Sequence, residues 1–262
     1  LLSVSASAGV PVNNLQGVGG VAFNPLAYLA GLAWEDKQQA PLCGVVRKPQ
    51  IGAWYIDLSD AEIDWTCMSA ATSVFDRVEV SYGREIIATA GENIDKDNVG
   101  LKLLLIPENA GECAFVPAVS VGAVWKQTSM SMTSEDSDID VYAVATKLIT
   151  KPLPMPVLLS GGLLSSSEWA TGVVGFDEDD RDITAFANID VIPHEKWAVG
   201  FEFKQGSEYD DFQNANYWNA HVCFLANKNL TVIGAWTDTG NAESTSECGF
   251  GDGLVFSLQY AF

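Results

Sequence analysis

The chain has 262 residues, 48% hydrophobic and 10% aromatic, and its 14 Lys and Arg against 34 Asp and Glu give a formal charge of −20. This composition excludes a disordered chain, and the acidic balance leaves no basic stripe to displace the counterions of a nucleic acid. No stretch approaches the roughly 18–20 consecutive apolar residues of a spanning helix, so a membrane protein of this sequence crosses as a closed β-barrel, which satisfies every backbone polar group in lipid.

The first residues, LLSVSASAG, read as the tail of an export signal, with Ala6-Ser7-Ala8 as a small-x-small cleavage pattern; the plain alternative is an exposed N-terminal stretch. Residues 9–49 contain NNLQGVGGVAFNPLAYLAGLAW, rich in glycine and carrying Pro25, followed by the polar EDKQQ. One extra strand here would spoil an even strand count. The expectation for 1–49 is therefore a segment in the lumen acting as a plug, with a periplasmic extension as the other reading, ahead of a barrel over 50–262.

From residue 50 onward apolar and polar residues alternate in segments of about ten, the period of a strand with two unlike faces. Strands are predicted near 50–58, 62–71, 74–88, 97–106, 114–127, 138–149, 156–166, 182–192, 196–206, 216–226, 229–239 and 253–262. In KWAVGFEFKQ, Trp197, Val199, Phe201 and Phe203 share one face while Glu202 and Lys204 share the other. A helix would scatter these residues at about 100° each and leave no apolar face. A soluble β-sandwich also alternates, so the connections have to separate the two architectures. Counted back from the C-terminus they run long, short, long, short, as outer loops and periplasmic turns do in an outer-membrane barrel. Near the start the rule weakens, because SDA at 59–61 is short yet would face outward. The fold class read from the sequence is all-β, an antiparallel transmembrane barrel of about twelve strands.

The aromatic residues fall where interfacial girdles belong. Trp125, Trp218 and Trp236 come at the predicted outer interface; Trp197, Tyr260 and Phe262 come at the periplasmic one. In the last strand Leu254, Phe256, Leu258, Tyr260 and Phe262 form the expected lipid face, with Ser257 and Gln259 turned inward. Charges at strand centres cost roughly 2–4 kcal/mol against lipid. Asp57, Glu79, Lys102, Asn188, Asp190, Glu202, Lys204, Asn219, His221 and Gln259 are therefore expected to line the lumen. They can line a solute path or form an ion-paired network that fills a closed barrel; a twelve-stranded barrel lies between the filled 8-stranded and open 16–18-stranded sizes.

Two acidic stretches raise the question of a hard cation, which needs several oxygen ligands. EDSDID offers Asp136, Asp138 and Asp140, and FDEDDRD offers Asp177, Asp179 and Asp180. Both lack the sixth-position Gly and twelfth-position Glu of a calcium loop, so they are weak candidates beside a solvated acidic surface. Cys43, Cys67, Cys113, Cys223 and Cys248 form no CxxC and no Cys/His metal spacing, and Cys223 reads as a packing residue. His194 and His221 are the only histidines, and an inward His221 is badly placed to attack lipid, so no enzyme and no cofactor is expected.

Several stretches, in order along most of the chain, resemble an uncharacterised proteobacterial family of porin-like outer-membrane proteins, filed as a domain of unknown function. They are GVGGVAFNPLAYLAG, FDRVEVSYGREI, DNVGLKLLLIPE, VYAVATKLI, WAVGFEFK, ANKNLTVIGAWTDTGN and FSLQYAF. The resemblance implies an exported barrel in the Gram-negative outer membrane and brings no catalytic residues with it. The functional expectation is passive, porin-like diffusion of small hydrophilic solutes, biased toward cations by inward carboxylates and by acidic loops that focus potential at the mouth. The alternative is a plugged, non-conducting barrel with a structural or partner-holding role. Expected partners are outer-membrane lipid and lipopolysaccharide, with no nucleic acid; a homo-oligomer or another envelope protein stays open.

Overall fold

The computed structural model describes residues 12–36, 40–91, 93–130, 136–167, 181–209, 212–244 and 247–262. Twelve antiparallel strands close on themselves: β1 (Gln50–Leu58), β2 (Ile63–Val74), β3 (Val78–Ala88), β4 (Asn93–Ile106), β5 (Ala118–Met130), β6 (Asp136–Ile149), β7 (Val157–Ser166), β8 (Asp182–His194), β9 (Trp197–Lys204), β10 (Tyr217–Leu225), β11 (Leu230–Asp238) and β12 (Asp252–Ala261). Each strand pairs with its sequence neighbours, and the seam joins β1 to β12 from Gln50↔Ala261 to Asp57↔Leu254. No strand edge is left unpaired in the wall.

The alternation read from sequence is the alternation of the wall. Along β12 the exposed positions are Leu254, Phe256, Leu258, Tyr260 and Phe262, while Val255, Ser257, Gln259 and Ala261 are buried. Trp125, Trp197 and Trp236 also lie on the exposed face, and Trp218 shares it, stacked on Phe201 at 5.8 Å. Tyr260 meets Phe262 edge-on at 5.2 Å. An apolar exterior of this kind is matched to lipid rather than water. Phe256→Arg, near the middle of β12, is expected to destabilise the barrel by about 2–4 kcal/mol, measured by reversible denaturant unfolding in lipid vesicles.

Strand limits differ from the sequence reading where charges blur the pattern. β4 begins at Asn93, inside NIDKD, which reads as a connection because it is mostly charged. Lys96 points inward to Glu85 at 3.1 Å, while Asp95 and Asp97 point outward to Arg84 at 3.1 and 2.7 Å. The connections 205–216 and 239–251 hold a small sheet of Glu208–Tyr209, Phe212–Asn214 and Glu247–Cys248, stretches read from sequence as loop. These lie at what we term the loop end; Phe262 and the tight connections 75–77, 195–196 and 226–229 lie at the turn end.

Residues 12–32 run through the barrel interior. Val12, Asn13, Asn14, Leu15, Val18, Phe23, Asn24, Ala27 and Ala30 are buried, and their hydrogen-bond partners lie on inward positions of β1 to β6, β8, β9 and β12. Leu15, Ala22 and Phe23 pack with Trp54, Ile56, Trp65, Tyr217 and Ile233 into an apolar core inside the wall. Burying Leu15 and Phe23 contributes roughly 1.5–3 kcal/mol each. The segment leaves at the turn end, where Leu32 pairs with Lys48 and Arg47 with Asp76 at 2.8 Å.

Inward glycines make room for this filling. A Cβ on Gly83 would come 2.8 Å from the backbone of Gln16, and one on Gly17, whose φ is +90°, would come 2.7 Å from the carbonyl of Tyr82. Wall and segment thus touch backbone to backbone at Gly17 and Gly83. Elsewhere a wall glycine faces a large inward ring: Gly122 faces Tyr142 and Gly162 faces Phe186. Gly162→Val would drive a methyl group into Phe186 and is expected to cost about 1–3 kcal/mol. Gly91→Ala, with open space around it, should stay within about 0.5 kcal/mol. Denaturation midpoints of the two variants check the contrast.

Candidate functional site

The interior is a polar network in which two carboxylates and one ammonium grip the segment by its backbone. Glu202, on β9, is fully buried. It accepts from the backbone N–H groups of Ala22 at 3.1 Å, Phe23 at 3.0 Å and Asn24 at 2.6 Å, and from Asn219 Nδ2 at 2.5 Å. Three successive N–H groups converging on one anion form a concave anion site. Here the short Val21–Asn24 turn of the segment supplies it, closed by Val21 N–H donating to Asn24 O at 3.0 Å. Asn24 Nδ2 in turn donates to Asn188 Oδ1 at 3.2 Å and to the carbonyl of Phe203 at 2.9 Å.

Glu79 repeats the arrangement on the opposite wall. Its Oε1 accepts from Gly19 N at 2.9 Å, and its Oε2 accepts from Ala30 N at 2.6 Å and from Lys102 Nζ at 3.1 Å. Lys102 also donates to the carbonyls of Gly19 at 2.8 Å and Tyr28 at 3.0 Å. A buried ion pair holds its place only when its remaining donors and acceptors are satisfied, and the segment's backbone does this for both partners. Nearer the N-terminus, Asn13 is held by Gln259, Gln50, Ser69 and the Trp54 indole.

Most of the other inward charges pair within the wall. Lys126 donates to Asp140 at 2.5 Å, and His221 bonds Asp190 at 2.7 Å and Asn219 at 2.8 Å through its two ring nitrogens. Trp65 Nε1 donates to Glu85 at 2.9 Å. A cavity between segment and wall measures about 10 Å³, and a second, between the wall and the 205–216 connection, about 20 Å³, on the scale of a single water molecule rather than a hydrated solute.

Of the residues expected to line the lumen, Glu79, Lys102, Asn188, Asp190, Glu202, Asn219, His221 and Gln259 are buried on the inward face, and Lys204 lies on that face at the loop end of β9. What they meet is the segment and each other. Asp57 is a correction: it lies on the outward parity of β1, between the buried Ile56 and Leu58, where Ser59 Oγ donates to it at 3.0 Å. At the strand end an outward carboxylate reaches the polar interface, so the cost that drives mid-strand charges inward does not act on it.

The acidic candidates are engaged or outside the described residues. Asp140 is bound by Lys126, and Asp138 by Arg181 at 3.0 Å; Asp136 is exposed at the rim. Asp177, Asp179 and Asp180 lie outside the described residues. Sequence reasoning missed the inward residues Glu85, Lys96, Asn98 and Lys126, and it missed Trp54 and Trp65, whose rings point into the lumen. Their inward parity was legible; the partner that makes tryptophan an interior residue was not.

The sequence matches the family described as "Protein of unknown function (DUF3034)" over residues 9–254. The chain belongs to that family. The matched region includes the lumen segment as well as the wall. No curated protein matches. Among solved structures, the outer membrane protein Omp33 of Acinetobacter baumannii is similar at 12% identity and a TM-score of 0.47, over 84% of this chain and 100% of that one. The NanC porin is similar at 10% identity and 0.49, over 82% and 98%. The translocator domain of the autotransporter NalP from Neisseria meningitidis follows at 12% and 0.39, over 83% and 87%.

Proposed function

We propose that this family member is an outer-membrane barrel held shut by its own N-terminal segment, with a structural or partner-holding role and no catalysis. The observation that carries the reading is that Glu79 and Glu202, the acidic residues best placed to attract a cation into a pore, are taken up by backbone N–H groups of residues 19–30. The apolar exterior suits outer-membrane lipid, and acidic loops bridged by divalent cations would suit lipopolysaccharide phosphates. Hydrolysis has no support from His221, since Asp190 and Asn219 occupy both ring nitrogens.

Diffusion of small solutes would require the segment to leave. The emptied lumen would then expose five carboxylates (Glu79, Glu85, Asp140, Asp190, Glu202) against four lysines (Lys96, Lys102, Lys126, Lys204) and His221. Near balance of this kind gives little selectivity, so a cation bias would come from the mouth. Planar-bilayer recording of the intact protein tests the proposal. Silence is expected. Steady ohmic steps from most insertions would reinstate the diffusion reading.

A further inference from the structure

Two inward residues of β6 carry polar atoms that no protein group satisfies. Asp140 accepts from Lys126 through Oδ2 at 2.5 Å, while its Oδ1 is buried with no hydrogen-bond partner among the described residues. Tyr142 stands two residues on, on the same face, and its Oη is buried and unpartnered in the same way. That hydroxyl lies over bare backbone: a Cβ on Gly122, the cross-strand neighbour of Tyr142, would come 2.4 Å from it. A buried carboxylate oxygen or hydroxyl without a partner is costly, and in folded proteins such groups are met by protein or by ordered water.

Both residues border one cavity of about 10 Å³, whose other side is formed by the segment through Asn14, Gln16, Val18 and Asn24. That is room for a single water molecule. The amides of Asn14 and Asn24 are already engaged. Asn14 bonds the N–H of Val18 and the carbonyl of Phe23, and Asn24 bonds Asn188 and the carbonyl of Phe203. The Gln16 side chain has no such partner among the described residues. A purely apolar cavity of this size stays dry, whereas a carboxylate oxygen, a hydroxyl and an amide supply the two to four polar partners that hold a water. A cation is disfavoured, because Lys126 already lies on Asp140 and Lys204 borders the same cavity.

We propose that this cavity binds one ordered water molecule, which bridges Asp140 Oδ1 and Tyr142 Oη of the wall to the side-chain amide of Gln16. The water donates to the carboxylate, and its second hydrogen and its lone pairs serve Tyr142 and Gln16. Glu79 and Glu202 hold the segment directly; Asp140 holds it through the water. This site rests on the sealed-barrel reading, since the segment forms one side of it.

The test is a crystal structure of the unaltered full chain at a resolution that shows ordered water, with a second crystal soaked in rubidium chloride. A single peak is expected within about 3.2 Å of Asp140 Oδ1, Tyr142 Oη and a Gln16 amide atom, with no anomalous signal from rubidium. In solution, Gln16→Leu should raise the rate at which a small maleimide labels Cys67 several-fold, because the Cys67 thiol meets the carbonyl of Leu15, the next residue of the segment. With the segment in place, a cavity without density, a peak touching the wall alone, a rubidium signal or an unchanged labelling rate would overturn the proposal and leave the sealed barrel standing. A lumen without the segment would overturn both.

Discussion

Replacing Glu202 with Ala should loosen the segment from the wall and lower barrel stability by about 3–5 kcal/mol. The loss comes from leaving several buried donors without their anion: the N–H groups of Ala22, Phe23 and Asn24 and the amide of Asn219. No neighbouring acceptor replaces it, because Asn188 and Asn24 already bond each other. Two readouts should move together: a lower denaturation midpoint, and brief conductance openings where the intact protein is silent. Glu202→Gln keeps one carbonyl acceptor and should fall between. An E202A barrel with unchanged stability would mean that the carboxylate does not hold the segment.

The second large effect is expected at Lys102. Lys102→Met leaves Glu79 buried with its charge and strips donors from the carbonyls of Gly19 and Tyr28. Breaking a buried pair from one side costs about 3–5 kcal/mol. Adding Glu79→Gln removes the orphaned charge, so the double variant should be more stable than Lys102→Met alone. The sum of the single effects should then exceed the double effect by about 0.5–3 kcal/mol. Additive losses would show that the two residues act independently. The same cycle on Lys126 and Asp140, two wall residues paired at 2.5 Å, should show a coupling of about 0.5–3 kcal/mol.

Much of the wall was legible because a strand in lipid reverses the usual inside-out rule at every second residue. β12 shows this most cleanly: five outward apolar residues are interleaved with small or polar ones, and the parity alone assigns the face. The reading slipped where charge lies outward as well as inward. Asp57 and the Asp95–Arg84–Asp97 cluster sit on the lipid-facing parity at the loop end, within reach of the polar interface. There the cost of exposure no longer forces a charge inward, and pattern no longer encodes direction.

The interior was legible only by halves. Glu202 could be turned inward from WAVGFEFK, but its partners lie about 180 residues away in VAFN, a stretch with no periodicity to read. Nothing local marks the backbone of that turn as an anion site. The glycines carried a signal that went unused. Gly17, Gly83, Gly122 and Gly162 admit a backbone or a ring that only the closed barrel brings near.

Two native cysteines allow the central claim, that residues 12–32 fill the lumen, to be tested without mutation. Cys67 faces the interior of β2 and its thiol donates to the carbonyl of Leu15, while Cys113 is exposed in the connection between β4 and β5. Folded protein in vesicles or detergent is treated with a small water-soluble maleimide, and labelling is followed by peptide mass spectrometry. Cys113 should react within the first time points, and Cys67 should react only once the barrel is unfolded. Labelling of Cys67 at a rate comparable to Cys113 in the folded protein would show a water-filled lumen and contradict the account.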